Sequence, residues 1–448
     1  MSTSPLHNLY AAVASAPHPR IGAPGGSLER ILHRVANRLY GAVLGETQFF
    51  VPEALADVQR QRLAGIIAKA KQQSSFYRER LRGITAENFS SLKPVARQEL
   101  RNALAEQSIV APDLEGWLIP RFTSGSTGEP FRFFLDRNML ARRLAVYRRL
   151  LAWAGWHRGD WVVRLIPAEQ PGLQPEGTFM RCPDLRELEG MRHKIYRSAA
   201  GRPVLLHSLT SFVVRLAQLI SLDRPLVRFR GIVSYGEALL PSVREYVESA
   251  FGAPVTDYYA SNEMTAIGQE CEAKRGFHVN SEWVYVEVVG PSGQPLPPGE
   301  AGEIVVTSFD NEVMPFIRYQ IGDRGTWLVG PCGCGRTLPR IAVAGRAMGI
   351  FLRPDGSPGS AIAFANALHL PMYAIRQFQI KRQSRDSYTI RIVPLGKLSV
   401  ADQESIAESA SRYLGSGARV QVKLVAVIPL APSGKQQMFI NTYDDPAA

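Results

Sequence analysis

The chain has 448 residues, 45% hydrophobic and 21% charged, which is ordinary for a globular protein and long enough for two or three domains. Its net charge of +12 is spread over scattered basic residues such as Arg142-Arg143 and Arg148-Arg149, which fits a solvated basic surface able to attract small polyanions and argues against nucleic acid as a partner. Four cysteines are too few for a disulfide scaffold and suit a reducing cytoplasm, and no run of about 18 apolar residues suggests a membrane span.

Residues 1–26, rich in Ala, Pro, Ser and His, read as a flexible tail and not as a secretion signal. Residues 55–82 carry Leu63, Ile66, Ile67 and Ala70 at helical spacing, and Ser74-Ser75-Phe76-Tyr77 breaks that pattern. A second helix is expected over Leu100–Glu106, then a short strand over 117–120. The stretch Thr123-Ser124-Gly125-Ser126-Thr127-Gly128-Glu129-Pro130 follows. Its glycines let backbone N–H groups close on an anion, and its hydroxyls add donors. It lacks the Lys after the last glycine that a nucleotide P-loop requires.

Beyond the loop, a helix over 138–156 is followed by strands over 161–167, 203–206, 230–234 and 255–259. Between them lie His207, Ser208 and a helix through Ile220, and another helix over 241–251, which Gly252 ends. Strand alternating with helix predicts an α/β sheet whose ligands gather at the carboxyl ends of its strands. From Trp283 the pattern turns to hairpins: Trp283–Val289, a turn at Pro291-Ser292-Gly293, and Gly302–Thr307. From Gly345 it changes again, to strands near 374–381, 387–394 and 419–428 around a helix over 401–414. The expected organisation is therefore an α/β domain over 27–344, with layered sheets and a β-rich part, and a small mobile α+β domain over 345–448.

Several segments, read in order, resemble those of the adenylate-forming superfamily of acyl- and aryl-CoA synthetases, luciferases and adenylation domains. Thr123–Pro130 resembles its phosphate loop and Tyr259–Glu263 its Tyr-x-x-x-Glu segment. Arg318-Tyr319-Gln320-Ile321-Gly322-Asp323 resembles its Arg-Tyr-x-x-Gly-Asp segment, and Ser433-Gly434-Lys435 its catalytic lysine motif. Ser75–Arg78, Gly236-Glu237, Glu270-Cys271 and Cys332–Thr337 resemble the phenylacetate–CoA ligase-like branch.

The resemblance implies ATP and a carboxylic acid reacting to an acyl-AMP, after which a thiol such as coenzyme A takes the acyl group. It implies that Thr123, Ser124, Gly125, Ser126, Thr127 and Gly128 hold the phosphates, the hydroxyls alternatively being those of a capped turn. Glu263 would hold Mg²⁺, a cation that prefers oxygen ligands. Gly236, Glu237, Tyr259 and Asp323 would bind adenine and ribose, and Lys435 would be the catalytic lysine. Arg318 could reach phosphate or pair with a local acid, and both readings stand. His207, Ser234, Tyr235 and Tyr258 would wall an acyl pocket suited to an aromatic or medium-sized acid. Independently of the family, Cys271, His278, Cys332 and Cys334 form a donor set for structural Zn²⁺, with buried free thiols as the alternative.

Two segments depart from the family pattern: the hinge, and the glycine loop after it, which usually lines the thiol tunnel and here reads Arg353-Pro354-Asp355-Gly356-Ser357. The hinge usually runs Gly-Arg-x-Asp-Asp, but here it is Gly345-Arg346-Ala347-Met348-Gly349. The acceptor therefore stays open between coenzyme A and an amine, a hydroxyl or a carrier-protein thiol. A non-catalytic nucleotide-binding protein is the third reading, and a homodimer is among the expected assemblies.

Overall fold

A computed structural model describes residues 38–111, 118–123, 131–166, 178–181, 187–223, 227–346, 349–431 and 435–443. These fall into two compact units. The first holds the chain up to Trp153 together with Tyr258–Val343. The second holds Ala154–Gln170, Glu176–Asp257 and Ala344–Ala448.

In the first unit, the helix Pro52–Gln73 buries Leu55, Val58, Leu63, Ile66, Ile67 and Ala70 along one stripe. It stops at Ser74, which is extended and whose hydroxyl accepts from Tyr77 N at 3.3 Å, so the expected break starts a second short helix, Ser75–Arg80. The β-rich part runs in the order Val284–Val289, Ala301–Ser308, Tyr319–Leu328, Arg340–Arg346, Phe277–Val279, Gly268–Gln269, and then Tyr258 and Tyr259. The first pair is antiparallel, from Val284 opposite Ser308 to Val289 opposite Glu303, which is the expected hairpin. The four strands from Gly268 to Val279 and from Tyr319 to Arg346 have no counterpart in the sequence-based reading. Two of them are only two and three residues long, Tyr319–Leu328 is interrupted by Gly322-Asp323-Arg324-Gly325, and Arg340–Arg346 is an apolar run between arginines without polar alternation.

The first unit closes on Arg318, which is fully buried and has φ +47°, a left-handed conformation rare outside glycine. Its guanidinium uses all five N–H donors. Nε and Nη2 each donate to a different oxygen of Glu287 at 2.9 Å, Nη2 also donates to Gly293 O at 2.9 Å, and Nη1 donates to Ser90 O at 3.0 Å and to Leu92 O. Only the planar fork of arginine meets five acceptors set at these angles. The phosphate role expected for Arg318 thus gives way to the alternative weighed beside it, an ion pair with a local acid. No donor is left over for a ligand.

In the second unit, four parallel strands run in the order Phe229–Tyr235, Val204–Leu209, Trp161–Ile166, Thr178–Arg181. Every residue of Val204–Leu209 is buried, as expected of a strand covered on both faces. His207 and Ser208, expected beyond the strand, lie inside it, and the helix starts at Thr210. The helix Pro241–Phe251 ends where expected, with Gly252 left-handed at φ +60°. Residues 344–448 carry a four-stranded mixed sheet, Arg419–Leu424, Ser387–Pro394, Ile375–Arg382, Phe439–Asn441, backed by Ala361–Ala367 and Val400–Leu414. Ser399 and Asp402 cap the start of the latter helix reciprocally. The fold is mixed α/β, as the strand–helix alternation predicts. No helix among the described residues is long and apolar enough to cross a membrane.

Arg318→Met would leave the Glu287 carboxylate buried without its partner. We expect a loss of about 3–5 kcal/mol in chemical denaturation. The double substitution with Glu287→Leu should recover most of that loss, because the uncompensated charge is then gone.

Candidate active site

In the first unit, the backbone on either side of Arg318 aligns a polar cluster. Val95 N donates to Arg318 O at 2.8 Å and Gln320 N to Val95 O at 3.0 Å, so the start of the helix Arg97–Ala105 lies against the strand Tyr319–Leu328. Arg97 Nε then meets Tyr319 Oη at 3.0 Å, and that hydroxyl donates to Glu263 Oε1 at 2.9 Å. Arg97 Nη2 lies 3.5 Å from the same carboxylate oxygen. Burial and the nearby Glu263 carboxylate push the Tyr319 phenol well above its ordinary pKa, so it stays protonated and donates. Tyr259 donates to Asp323 Oδ2 at 2.8 Å. Two carboxylates expected to be functional, Glu263 and Asp323, are thus each oriented by a tyrosine hydroxyl.

Thr123, just before the Ser/Gly loop, is buried; its N–H donates to Phe131 O at 2.9 Å and its hydroxyl accepts from Phe131 N at 3.1 Å. The strands Leu118–Phe122 and Arg132–Asp136 pair in register behind these residues. Ser124, Gly125, Ser126, Thr127 and Gly128 lie outside the described residues. Tyr258 is buried with its hydroxyl 3.4 Å from Thr265 O.

In the second unit, the carboxyl end of the strand Phe229–Tyr235 leads into Gly236 and Glu237. Gly236 has φ +77°, and a Cβ there would come within 3.0 Å of Leu209 Cδ2 and 3.4 Å of Lys435 Cε and Nζ. The left-handed turn favours glycine, and a Cβ there would also crowd Leu209. Glu237, expected beside the nucleotide, instead turns its carboxylate to Ser211 N at 2.7 Å, Ser211 Oγ at 3.0 Å and Gln436 N at 2.5 Å. His207 is buried with its ring 4.8 Å from that of Tyr235, and Ser234 Oγ lies 2.8 Å from Thr210 Oγ1. Three of the four expected acyl-pocket residues, His207, Ser234 and Tyr235, therefore lie in this unit.

The donor atoms of Cys271, His278, Cys332 and Cys334 all lie within 4.8 Å of one another in the first unit. Cys271 Sγ is 3.6 Å from Cys332 Sγ, close to the roughly 3.8 Å that two sulfurs take on a tetrahedral zinc ion. His278 Nδ1 faces Leu338 O at 2.9 Å, and its Nε2 faces Cys334 Sγ at 3.4 Å. A carbonyl on the far nitrogen is the usual outer partner of a ligating imidazole. Burial lowers the His278 pKa to about 4, leaving the ring neutral as a ligand must be. Burial pushes the Cys271 thiol up to about 12. Burial also opposes the Cys334 thiolate, but hydrogen bonds from the Arg336 backbone and side chain outweigh it and bring that pKa down. The donor set fits zinc.

No protein-family model matches the chain. Its sequence is 27% identical over 321 residues to a phenylacetate–coenzyme A ligase of Thermus thermophilus, covering 64% of this chain and 69% of that protein. It is 24% identical over 312 residues to a phenylacetate–coenzyme A ligase of Pseudomonas putida, covering 64% and 70%. These matches join the ordered motifs and the paired carboxylates at Glu263 and Asp323. The chain is similar in sequence to phenylacetate–coenzyme A ligases. The fold agrees: a 2-hydroxyisobutyryl-CoA ligase in its postadenylation state, complexed with R3-HIB-AMP, superposes at TM-score 0.70 and 19% identity over 88% of this chain and 90% of that one.

Three residues of the polar clusters escape a sequence reading. Arg97 lies 222 positions from Tyr319, and nothing local marks it. Ser211 and Gln436 act largely through backbone N–H groups, which no residue type advertises. The weak available signals are Ser211 at a helix start and the position of Gln436 beside a motif lysine.

Gly236→Ala should cost about 1–2 kcal/mol for the left-handed backbone alone. Gly252→Ala carries the same backbone penalty with nothing within 4 Å of its Cβ. Denaturation should therefore show the larger loss for Gly236→Ala, the excess reporting contact with Leu209 and Lys435.

Proposed function

We propose that the chain is an ATP-dependent, AMP-forming ligase that adenylates an aromatic or medium-sized carboxylic acid and transfers the acyl group to coenzyme A. The observation that carries this reading is the tyrosine-held pair of carboxylates, Glu263 and Asp323, at the motif positions of the branch. In the first half-reaction a carboxylate oxygen of the acid attacks the α-phosphorus of ATP, the bond to the β-phosphate oxygen breaks, and pyrophosphate leaves. In the second, the thiolate of coenzyme A attacks the acyl carbonyl and AMP leaves.

Each residue answers to a charge in that sequence. Asp323 accepts hydrogen bonds from ribose hydroxyls, with its carboxylate orientation set by Tyr259. Glu263 would hold Mg²⁺, which would offset the negative charge of the phosphates. Thr123 and the Ser/Gly loop through Gly128 take the leaving pyrophosphate. Lys435 places its ammonium against charge developing on the α-phosphate and the attacking carboxylate. Gly236 lets the nucleotide base approach the backbone, and His207, Ser234, Tyr235 and Tyr258 wall the acyl group. Residues 345–448 form the mobile domain, with Gly345 at its hinge. Gly345 has φ +96° and leaves no room for a Cβ beside Ile362 Cδ1, which supports a glycine-dependent hinge there. Cys271, His278, Cys332 and Cys334 bind one structural zinc ion. None of the three described cysteines is in a disulfide, which supports a reducing cytoplasm.

A second reading concerns the acceptor. The hinge sequence Gly345-Arg346-Ala347-Met348-Gly349 lacks both acids of the family pattern, which favours an amine, a hydroxyl or a carrier-protein thiol over coenzyme A.

Pyrophosphate release, measured with a panel of aryl and alkyl acids starting from phenylacetate, should be ATP-dependent and should fall about 10²–10³-fold in Lys435→Ala. Coenzyme A should accelerate turnover; stimulation by an amine but not by coenzyme A would favour the second reading. Absence of release with every acid would sink both. Elemental analysis should find about one zinc per chain, with Cys332→Ser losing most of it and melting at lower temperature.

A further inference from the structure

The carboxylate of Glu237 stands where a transient contact could be built on a permanent one. Its Oε2 accepts from Ser211 N and its Oε1 from Ser211 Oγ, in the first turn of the helix Thr210–Asp223. Thr210 Oγ1 adds a hydrogen bond to Glu237 O at 3.1 Å. Both the side chain and the backbone of Glu237 are therefore fixed by the helix start, whose partial positive charge favours an anion there. The third donor to the carboxylate is Gln436 N, the residue next to Lys435.

The segment after Lys435 is seated by further bonds of the same unit. Gln436 Nε2 donates to Phe378 O at 2.6 Å, Gln379 Nε2 donates to Gln437 O at 3.0 Å, and Ile380 N donates to Met438 O at 2.8 Å. These run alongside the strand Ile375–Arg382 and lead into the paired strand Phe439–Asn441. Glu237 ties that segment to the loop after Phe229–Tyr235, where Lys435 lies against Gly236. A pocket of ≈ 140 Å³ opens at this place, lined among others by Ser211, Glu237, Arg376 and Lys435.

We propose that Glu237 is a positioning residue, a latch that holds Lys435 in place for adenylation by accepting the backbone N–H of Gln436, and that is released for acyl transfer. This rests on the ligase reading above. A hydrogen bond to a charged group contributes about 1.5–3 kcal/mol, enough to favour one arrangement and small enough to break in each cycle. Release does not strand the carboxylate, because the two Ser211 donors remain. Burial raises the Glu237 pKa, while the three donors and Lys435 act against that rise, so the latch is matched to a neighbouring cation.

Two measurements test the latch. Amide hydrogen exchange needs no substrate. In Glu237→Ala the Gln436 amide should exchange about tenfold faster or more, with Glu237→Gln intermediate and the Ile390 and Ile392 amides unchanged. Unchanged exchange at Gln436, or equal acceleration at Ile390, would overturn the latch. The half-reactions then report its use. With phenylacetate as probe, Glu237→Gln should lower kcat for acyl-AMP formation about 10–100-fold at constant KM for ATP. Transfer from supplied phenylacetyl-AMP to coenzyme A should change less than about twofold. Equal loss in both halves would make Glu237 merely structural. If wild type forms no acyl-AMP, the ligase reading fails by itself, and exchange at Gln436 still decides whether the contact exists.

Discussion

The buried fork between Arg318 and Glu287 is the constraint on which the β-rich unit depends. One guanidinium meets a carboxylate and three carbonyls drawn from Ser90, Leu92 and Gly293. Desolvating a charge is expensive, and it is tolerated here because every donor has a partner. The strained φ of Arg318 belongs to the same bargain: the surrounding bonds over-determine it. The functional consequence is positional. The next residue, Tyr319, carries the hydroxyl that Glu263 and Arg97 share, so the site inherits its geometry from a bond network that touches no ligand.

The polar clusters of the two units, each taken by itself, use the same physical device. A functional group is oriented by neutral or backbone donors that are themselves fixed by the fold. Tyr259 and Tyr319 do this for Asp323 and Glu263, and Ser211 does it for Glu237. Donors placed in advance need no reorganisation when charge develops, which is the source of electrostatic catalysis. The zinc donors follow the same logic, with Leu338 O holding the far nitrogen of His278.

Much of this was legible in the amino-acid order, and the limits are physical. Alternation of apolar strands with amphipathic helices specified the α/β unit, because burial on both faces leaves continuous runs such as Val204–Leu209. Glu263, Asp323 and Lys435 could be singled out because each sits in a short motif whose residue types and order resemble those of the family. The cysteines and His278 could be grouped by donor chemistry alone, although the strands that bring them together were too short to read. Arg318 shows the limit: a motif arginine looks the same whether it faces phosphate or Glu287. Arg97 and Ser211 were invisible because their partners come from distant chain or from the backbone.

The Arg318 fork also bears on how the chain is made. Its partners lie 25 to 228 positions away, and the first unit is assembled from segments on either side of most of Ala154–Asp257. During synthesis the apolar stripe of Pro52–Gln73 leaves the ribosome long before Glu287, Gly293 and Arg318 exist to complete its unit. The segment 154–257 emerges next, ahead of the residues that complete the first unit, and can begin to condense in the meantime. The amino-terminal helices must meanwhile wait with apolar surface uncovered, a condition that invites chaperone binding and sets a lower bound on the time to a working site.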